Sequence, residues 1–299
     1  MERVKGFEPS TSCLGSKHST AELHPLKADY IMPWHQFHVK MTEDSLSPAA
    51  ITDNLETRFI GQRVIHYPRL TSTMDVAKRQ AKQGAIEGTV VLADEQTAGR
   101  GRMKRAWVSP KGSIALSIIL RPSSAYLSSL IMAASLATVH CIEKVTGLKS
   151  QIKWPNDVLV NEKKVCGILT ESDVRGNIVD YAIIGIGINV NLKLSDFPEI
   201  SPTATSLSHE LGRDVSRLDM IRCLLVEAER LYLALPAGES VYQEWRDRLV
   251  TLGKKIEVKS GEATYRGIAE SVASDGSLLL RQPDGNLTKI VTGDVTLRQ

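Results

Sequence analysis

Asp94-Glu95-Gln96-Thr97-Ala98-Gly99-Arg100-Gly101-Arg102-Met103-Lys104-Arg105-Ala106-Trp107 sets four cations and two glycines between an apolar strand and a tryptophan. The preceding run, Thr89 to Ala93, is β-branched and apolar, which predicts a buried strand. Glycine at 99 and 101 lets the backbone approach a ligand closely or take positive φ. Arginine suits the position because its planar fork holds phosphate or carboxylate at two points and stays charged near pH 7. The segment therefore reads as a flap that closes over a polyanion, or else as a solvated basic loop. Two further segments bear on the choice.

Lys153-Trp154-Pro155-Asn156-Asp157 is followed by Val158-Leu159-Val160, a polar turn at Asn161-Glu162-Lys163, and Lys164-Val165-Cys166-Gly167-Ile168-Leu169-Thr170-Glu171. This predicts a tight hairpin with polar ends. Proline argues against a central strand at 155, so Asn156 and Asp157 are expected at a strand entrance facing a cleft. The third segment, Tyr181-Ala182-Ile183-Ile184-Gly185-Ile186-Gly187-Ile188-Asn189-Val190-Asn191, is an apolar strand with alternate glycines at 185 and 187. Such a strand has one bare face, and glycine weakens a strand unless something packs close to its backbone. A flat ligand lying on the sheet is the expectation.

Working outward, 299 residues suffice for a full core, as one large domain or two smaller ones. A net charge of +3 does not advertise nucleic-acid binding; the basic character is local. The cysteines at 13, 141, 166 and 223 form no Cys-x-x-Cys pair, which points away from a zinc site or disulfide framework and toward a reducing cytoplasm. No apolar stretch has membrane-spanning length, and no signal-peptide pattern opens the chain.

Residues 1–50, with Pro9, Pro25, Pro33, Pro48 and four of the seven histidines, carry neither helical nor alternating periodicity and read as a disordered leader. Gly6-Phe7-Glu8-Pro9-Ser10-Thr11-Ser12 resembles in-frame translation of non-coding RNA, with Met41 as the true start; a histidine-rich metal tail is the alternative. From Thr71 the pattern is regular. Ser72 followed by Asp75 predicts a capping box opening a helix that ends at Gly84. Three-and-four spacing from Leu127 to Val145 predicts a second helix closed by Gly147, and Arg217 to Leu235 a third, closed by Pro236. Strands are expected at 89–93, 113–120, 152–160, 164–171 and 178–190, a mixed sheet with helices against it, an α+β fold over 51–248. From 249 to 299, short strands at 255–259, 264–271, 277–282 and 288–291, separated by Gly261, Ser274-Asp275-Gly276 and Asp284-Gly285-Asn286, predict a small β-barrel.

In combination these segments resemble the bacterial biotin protein ligase family: the Gly-Arg-Gly-Arg loop, Lys-Trp-Pro-Asn-Asp, Lys-x-x-Gly-Ile-Leu and Gly-x-Gly-x-Asn, in that order over roughly residues 60 to 298. Leu70-Thr71-Ser72-Thr73-Met74-Asp75 fits the family's helix-opening Ser-Thr motif, departing at Met74, where Asn is common. The closing Gly293-Asp294-Val295-Thr296-Leu297-Arg298 fits too, with Asp294 where Glu is common. The resemblance implies a class II synthetase-like catalytic domain and a C-terminal SH3-like barrel. Some members carry an N-terminal DNA-binding repressor, a module of about sixty residues with a recognition helix. None is readable in the leader, so the expectation is a ligase without repressor function.

The resemblance further implies that biotin and ATP, with Mg2+ on the β- and γ-phosphates, form biotinyl-5′-adenylate, and that biotin then passes to one lysine of a biotin carboxyl carrier domain of an acyl-CoA carboxylase. Cations must offset the repulsion between carboxylate and phosphate. Arg100, Arg102, Arg105 and Lys164 are available, with Arg102 and Lys164 placed nearest the reacting atoms. Ser72, Thr73 and Gln96 suit the neutral ureido ring, unless they serve only as helix cap and strand end. Arg100 and Gly101 supply backbone contacts, and Gly167 lets the ring lie against the hairpin. Trp107 is placed as an aromatic lid on adenine, unless it serves only in core packing, Asn189 as a reader of the adenine edge, and Asn156 as a nucleotide contact. Asp157 either orients the incoming lysine and takes its proton, an amine of pKa about 10 needing deprotonation, or pins the loop through a salt bridge. No dedicated metal cage is visible. A lipoate ligase or lipoyl/octanoyl transferase shares the fold, the transferase needing a nucleophilic cysteine, for which Cys166 reads as a packed thiol. A DNA- or RNA-binding regulator is the remaining alternative. A homodimer through sheet edges and a monomer both fit.

Overall fold

Apolar runs of the chain pair into one mixed sheet of seven strands, seen in a computed structural model that describes residues 46–297 apart from position 238. The chain begins with helix α1 (Pro48–Thr52), strand β1 (Val64–Tyr67), helix α2 (Thr73–Lys82) and strand β2 (Val90–Ala93). Then come β3 (Gln96–Arg100), β4 (Ala106–Ser109), β5 (Ile114–Leu120), α3 (Leu130–Thr146), β6 (Gln151–Lys153), β7 (Asp157–Val160), β8 (Lys163–Arg175) and β9 (Ile178–Ile188). Helices α4 (Leu207–Leu211), α5 (Arg217–Ala234) and α6 (Glu239–Asp247) precede β10 (Lys255–Ser260), β11 (Ala263–Val272), β12 (Leu278–Arg281), β13 (Leu287–Ile290) and β14 (Asp294–Leu297).

The large sheet runs β1-β2-β5-β9-β8-β7-β6, with β1 and β2 parallel and the other neighbours antiparallel. One face is apolar: Leu116, Ile118, Ile168, Ile184, Ile186 and Ile188 share a buried cluster with Leu136, Val139 and Ile142 of α3 and Ile221, Leu224 and Leu225 of α5. The other face carries α2, whose Met74, Val76, Ala77 and Ala81 pack on Val91, Ile119, Tyr181 and Ile183. Since strand side chains alternate, the same β9 serves both. The last five strands form a separate antiparallel sheet, β13-β12-β11-β10-β14. It is tied to the catalytic half through Trp154, whose indole Nε1 donates to Gly276 O at 2.8 Å. This is the expected architecture of a mixed sheet with helices plus a small C-terminal β-domain.

Local chemistry accounts for the ends. Ser216 caps α5 by accepting from Asp219 N, and Gly147 ends α3 at φ 76°, a left-handed conformation that favours glycine. Ser72, by contrast, does not cap α2. The Gln96 carboxamide does so from across the sheet, its Oε1 accepting from Thr73 N at 2.8 Å and leaving the Ser72 hydroxyl for another use.

The structure corrects other expectations. The run 152–160 is two antiparallel strands, β6 and β7, reversed at Trp154-Pro155-Asn156, because proline has no N–H to extend a ladder. The basic segment is a two-stranded ribbon, β3 paired with β4, folded over a 3-10 turn at Arg102–Lys104. Its tip needs Met103 at φ 52°. The stretch read as leader enters the fold before residue 51: Leu46 and Ile51 are buried, and Ser47 caps α1 by accepting from Ala50 N. Residues 1–45, with the questions of start site, histidine tail and DNA-binding module, lie outside the described residues. Among the described residues no helix is long and apolar enough to cross a membrane.

Candidate active site

The floor of the site follows from register. Gly185 and Gly187 of β9 stand opposite Ser117 and Ala115 of β5 on one side and Leu169 and Gly167 of β8 on the other. Small residues side by side leave a shallow seat on the sheet face away from α3. A cleft open to solvent lies over it. Two side chains, Trp107 and Met74, rest on that seat. A Cβ added to Gly187 would lie 2.4 Å from Trp107 Nε1, and one added to Gly167 would lie 3.0 Å from Trp107 Cζ3. A Cβ on Gly185 would lie 2.6 Å from Met74 Sδ. Among the described residues the buried indole Nε1 has no hydrogen-bond partner, an unfavourable state for a donor.

One end of the cleft is neutral and polar. Thr73 Oγ1 donates to Gln96 Oε1 at 3.1 Å and accepts from Ser117 Oγ at 2.9 Å, so this threonine is held rigidly. Among the described residues Ser72 Oγ is buried without any partner. An unpartnered buried hydroxyl costs about 1–3 kcal/mol.

The other end is cationic. Arg102 on the ribbon tip donates from Nη1 to Asn156 Oδ1 at 3.1 Å and to Gly293 O at 3.5 Å, and from Nη2 to Thr292 Oγ1. Arg105 pairs with Asp294 at 2.5 Å. Lys164 pairs with Asp157 at 2.6 Å and sits 5.3 Å from the Trp107 ring centroid, within cation–π range. Burial pulls the Arg102 guanidinium below its ordinary pKa, against Asp294 and Asp157, with Arg105 adding to the lowering. Lys153 is also lowered, first by burial and then by neighbouring Lys164 and Arg105 against Asp157 and Asp294. Arg102, Arg105, Lys153 and Lys164 thus share two carboxylates, Asp157 and Asp294, and an arriving anion relieves the excess positive charge. Arg100 stands apart, held between Asp75 at 2.8 Å and Glu171 at 3.0 Å, so its guanidinium is already neutralised while its chain lines the cleft beside Gly101.

Ser72, Thr73, Gln96, Arg100, Gly101, Arg102, Arg105, Trp107, Asn156, Asp157, Lys164 and Gly167 all line this one cleft. Asn189 does not. It is 2% exposed, and its Nδ2 donates to Thr205 O at 3.0 Å. Alternation after Gly185 and Gly187 places it on the cleft face, but β9 ends at Ile188 and the side chain is spent on the following loop. Asn156 joins the cleft chiefly as a brace: its Nδ2 donates to Ile168 O at 2.7 Å while its Oδ1 holds Arg102. Asp157 is engaged with Lys164 across the hairpin. The contacts from Thr292, Gly293 and Asp294 were missed, since nothing along the chain signals that the last loop meets residues 102–105. Among the described residues no cluster of His, Cys, Asp or Glu is arranged to hold a metal ion.

The fold and cleft together define a class: a sheet-floored site with a neutral polar end and a cationic end, roofed by an arginine ribbon that meets the last loop of the C-terminal β-domain. Residues 67–189 match the model of the biotin/lipoate A/B protein ligase family, and residues 251–298 that of the biotin protein ligase C-terminal domain. The bifunctional ligase/repressor BirA of Bacillus subtilis is 38% identical over 258 residues, 84% of this chain and 79% of that protein. The biotin–[acetyl-CoA-carboxylase] ligase of Paracoccus denitrificans is 36% identical over 65% of this chain and 85% of that protein. The biotin protein ligase of Aquifex aeolicus, solved with biotin and ATP, superimposes with TM-score 0.67 at 28% identity, covering 80% of this chain and 99% of that one. The chain belongs to the biotin/lipoate A/B protein ligase family.

Proposed function

We infer that this chain is an ATP-dependent biotin protein ligase, a biotin–[acetyl-CoA-carboxylase] ligase that activates biotin as biotinyl-5′-AMP and delivers it to a biotin-carrying carboxylase. The relatives named above support this activity. The observation that carries it at the level of residues is the division of one cleft into a neutral end with an unpartnered Ser72 hydroxyl and an end where cations outnumber carboxylates.

In this reading Ser72, Thr73 and Gln96 bind the ureido group, and the carboxylate points to the ribbon. A carboxylate oxygen attacks the α-phosphorus and pyrophosphate leaves. Arg102 and Lys164 offset the charge gathered there, and Arg105 meets the outgoing phosphates. Among the described residues none is arranged to hold Mg2+, so it would be carried by the nucleotide's own phosphates, where it would supply positive charge. Trp107 lifts from Gly167 and Gly187 to give adenine an aromatic face. The carrier lysine then attacks the mixed-anhydride carbonyl, AMP leaves, and Asp157 accepts the ammonium proton once its pairing to Lys164 loosens. Closure of the ribbon keeps water from the adenylate. The free state of the described cysteines, 141, 166 and 223, supports a cytoplasmic setting. The edge of β8 beyond Gly167, where β7 no longer pairs, supports a sheet-edge homodimer.

Calorimetry with biotin and with lipoate, each with and without a non-hydrolysable ATP analogue, tests the substrate. Binding of biotin, tightened by the analogue, is the expected result; binding of lipoate alone would move the assignment to the lipoate branch. The transferase branch has its own test. Cys166 is fully buried and burial pushes its thiol up to about 12, so it is not a nucleophile at neutral pH. Cys166→Ala is therefore expected to keep ATP-dependent turnover within about threefold, the change being one of packing. Complete loss of acyl transfer with the fold retained would favour a cysteine mechanism.

A further inference from the structure

Met74 is the cleft residue that departs from the helix-opening pattern, and it has a defined place. It is 4% exposed, and its thioether lies on Gly185, whose absent Cβ would meet Sδ at 2.6 Å and Cγ at 3.1 Å. We propose that Met74, seated on Gly185, is the specificity-determining wall for the ring end of the substrate, admitting an unoxidised apolar ring and rejecting one that carries an added polar atom. The proposal rests on the biotin reading above.

Position follows from chemistry. Met74 directly succeeds Thr73, which is bonded to Gln96, so it stands one residue from the groups assigned to the ureido function. In biotin that function is fused directly to a sulfur-containing saturated ring. A wall beside the ureido contacts therefore faces this ring and not the carboxylate tail. Behind Met74 stand Ile119, Tyr181 and Ile183, with Leu169 packed against them. The thioether offers no N–H or O–H, so an oxygen on the ring sulfur would lose its water against Met74 and gain no hydrogen bond from it. Met74 is also soft enough to fit closely around the unmodified ring. A hydrophobic site separates ligands differing by one small group by about 10–200-fold, which sets the scale of the selection.

The test is biotin-dependent ATP–pyrophosphate exchange with biotin and with biotin sulfoxide as alternative substrates, read as the ratio of the two kcat/KM values. This ratio does not depend on how much of a variant is folded. Wild type is expected to favour biotin by about tenfold or more, Met74→Leu to keep that preference, and Met74→Ala to reduce it by about tenfold. Should Met74→Ala be too unstable to assay, Met74→Val is expected to move the ratio the same way by a smaller factor. An unchanged ratio in the shortened variants, with biotin still used, overturns the role of Met74 alone, as does equal use of both substrates by wild type. Absence of any biotin-dependent exchange in wild type overturns the ligase reading as well.

Discussion

Arg102→Gly is expected to leave the protein folded and to shorten the lifetime of bound adenylate by about a hundredfold, because it removes a preorganised charge-assisted donor from the reacting phosphate. The structure adds a second reason. Arg102 joins the ribbon tip to Asn156 and to the Thr292–Gly293 loop of the C-terminal domain. Glycine at 102 removes the cation and unties the ribbon together, so water reaches the mixed anhydride. The fold loses little, since the large sheet and both of its packed faces form without this side chain. Arg102→Lys keeps the charge but not the planar fork, and an intermediate effect is expected. Single-turnover release of biotinyl-AMP, followed beside thermal unfolding, is the measurement. Unchanged release would remove Arg102 from the retention mechanism.

Gly187→Ala is expected to separate stability from activity more sharply still. The added methyl would stand 2.4 Å from Trp107 Nε1 and 2.6 Å from its Cε2, so the indole must leave its seat. The strand itself has no objection. Glycine inside a strand costs about 0.5–1 kcal/mol relative to alanine, which offsets part of the lost indole packing, and the melting temperature should move little. Ligand, however, needs the same space, and a displacement of about 1 Å at a reacting centre costs on the order of a hundredfold in rate. A fall of that size in kcat/KM for pyrophosphate exchange is expected at nearly unchanged melting temperature. Full activity in Gly187→Ala would show that the bare face of β9 is not where substrate lies.

Much of this arrangement is legible along the chain because its causes are local. The alternate glycines of 181–191 reveal a bare strand face before any partner strand is known. Gly147 and Pro236 stop helices by backbone chemistry that operates within a turn. Ser216 caps α5 because its hydroxyl reaches a nearby N–H. Where the reading went astray, a distant residue intervened. Ser72 lost its capping role because Gln96 reached the same N–H from another strand. Asn189 has the right parity for the cleft but gives its amide to Thr205. The predicted space for a flat ligand is occupied by Trp107, from a ribbon whose fold-back periodicity does not reveal.

Sequence alone thus determined the α+β class, the run of strands and helices, and the residue types that gather in the cleft, since side-chain alternation, capping and turn formation depend on neighbours a few residues away. Tertiary structure alone decided which groups are already satisfied and which, among the described residues, are not. Arg100 is quenched by Asp75 and Glu171, Lys164 is matched to Asp157, Arg105 is answered by Asp294 from the far end of the chain, and Ser72 is left without a partner. Hydrogen bonds and ion pairs act over a few ångströms of space, and the folded chain brings residues nearly two hundred positions apart within that reach.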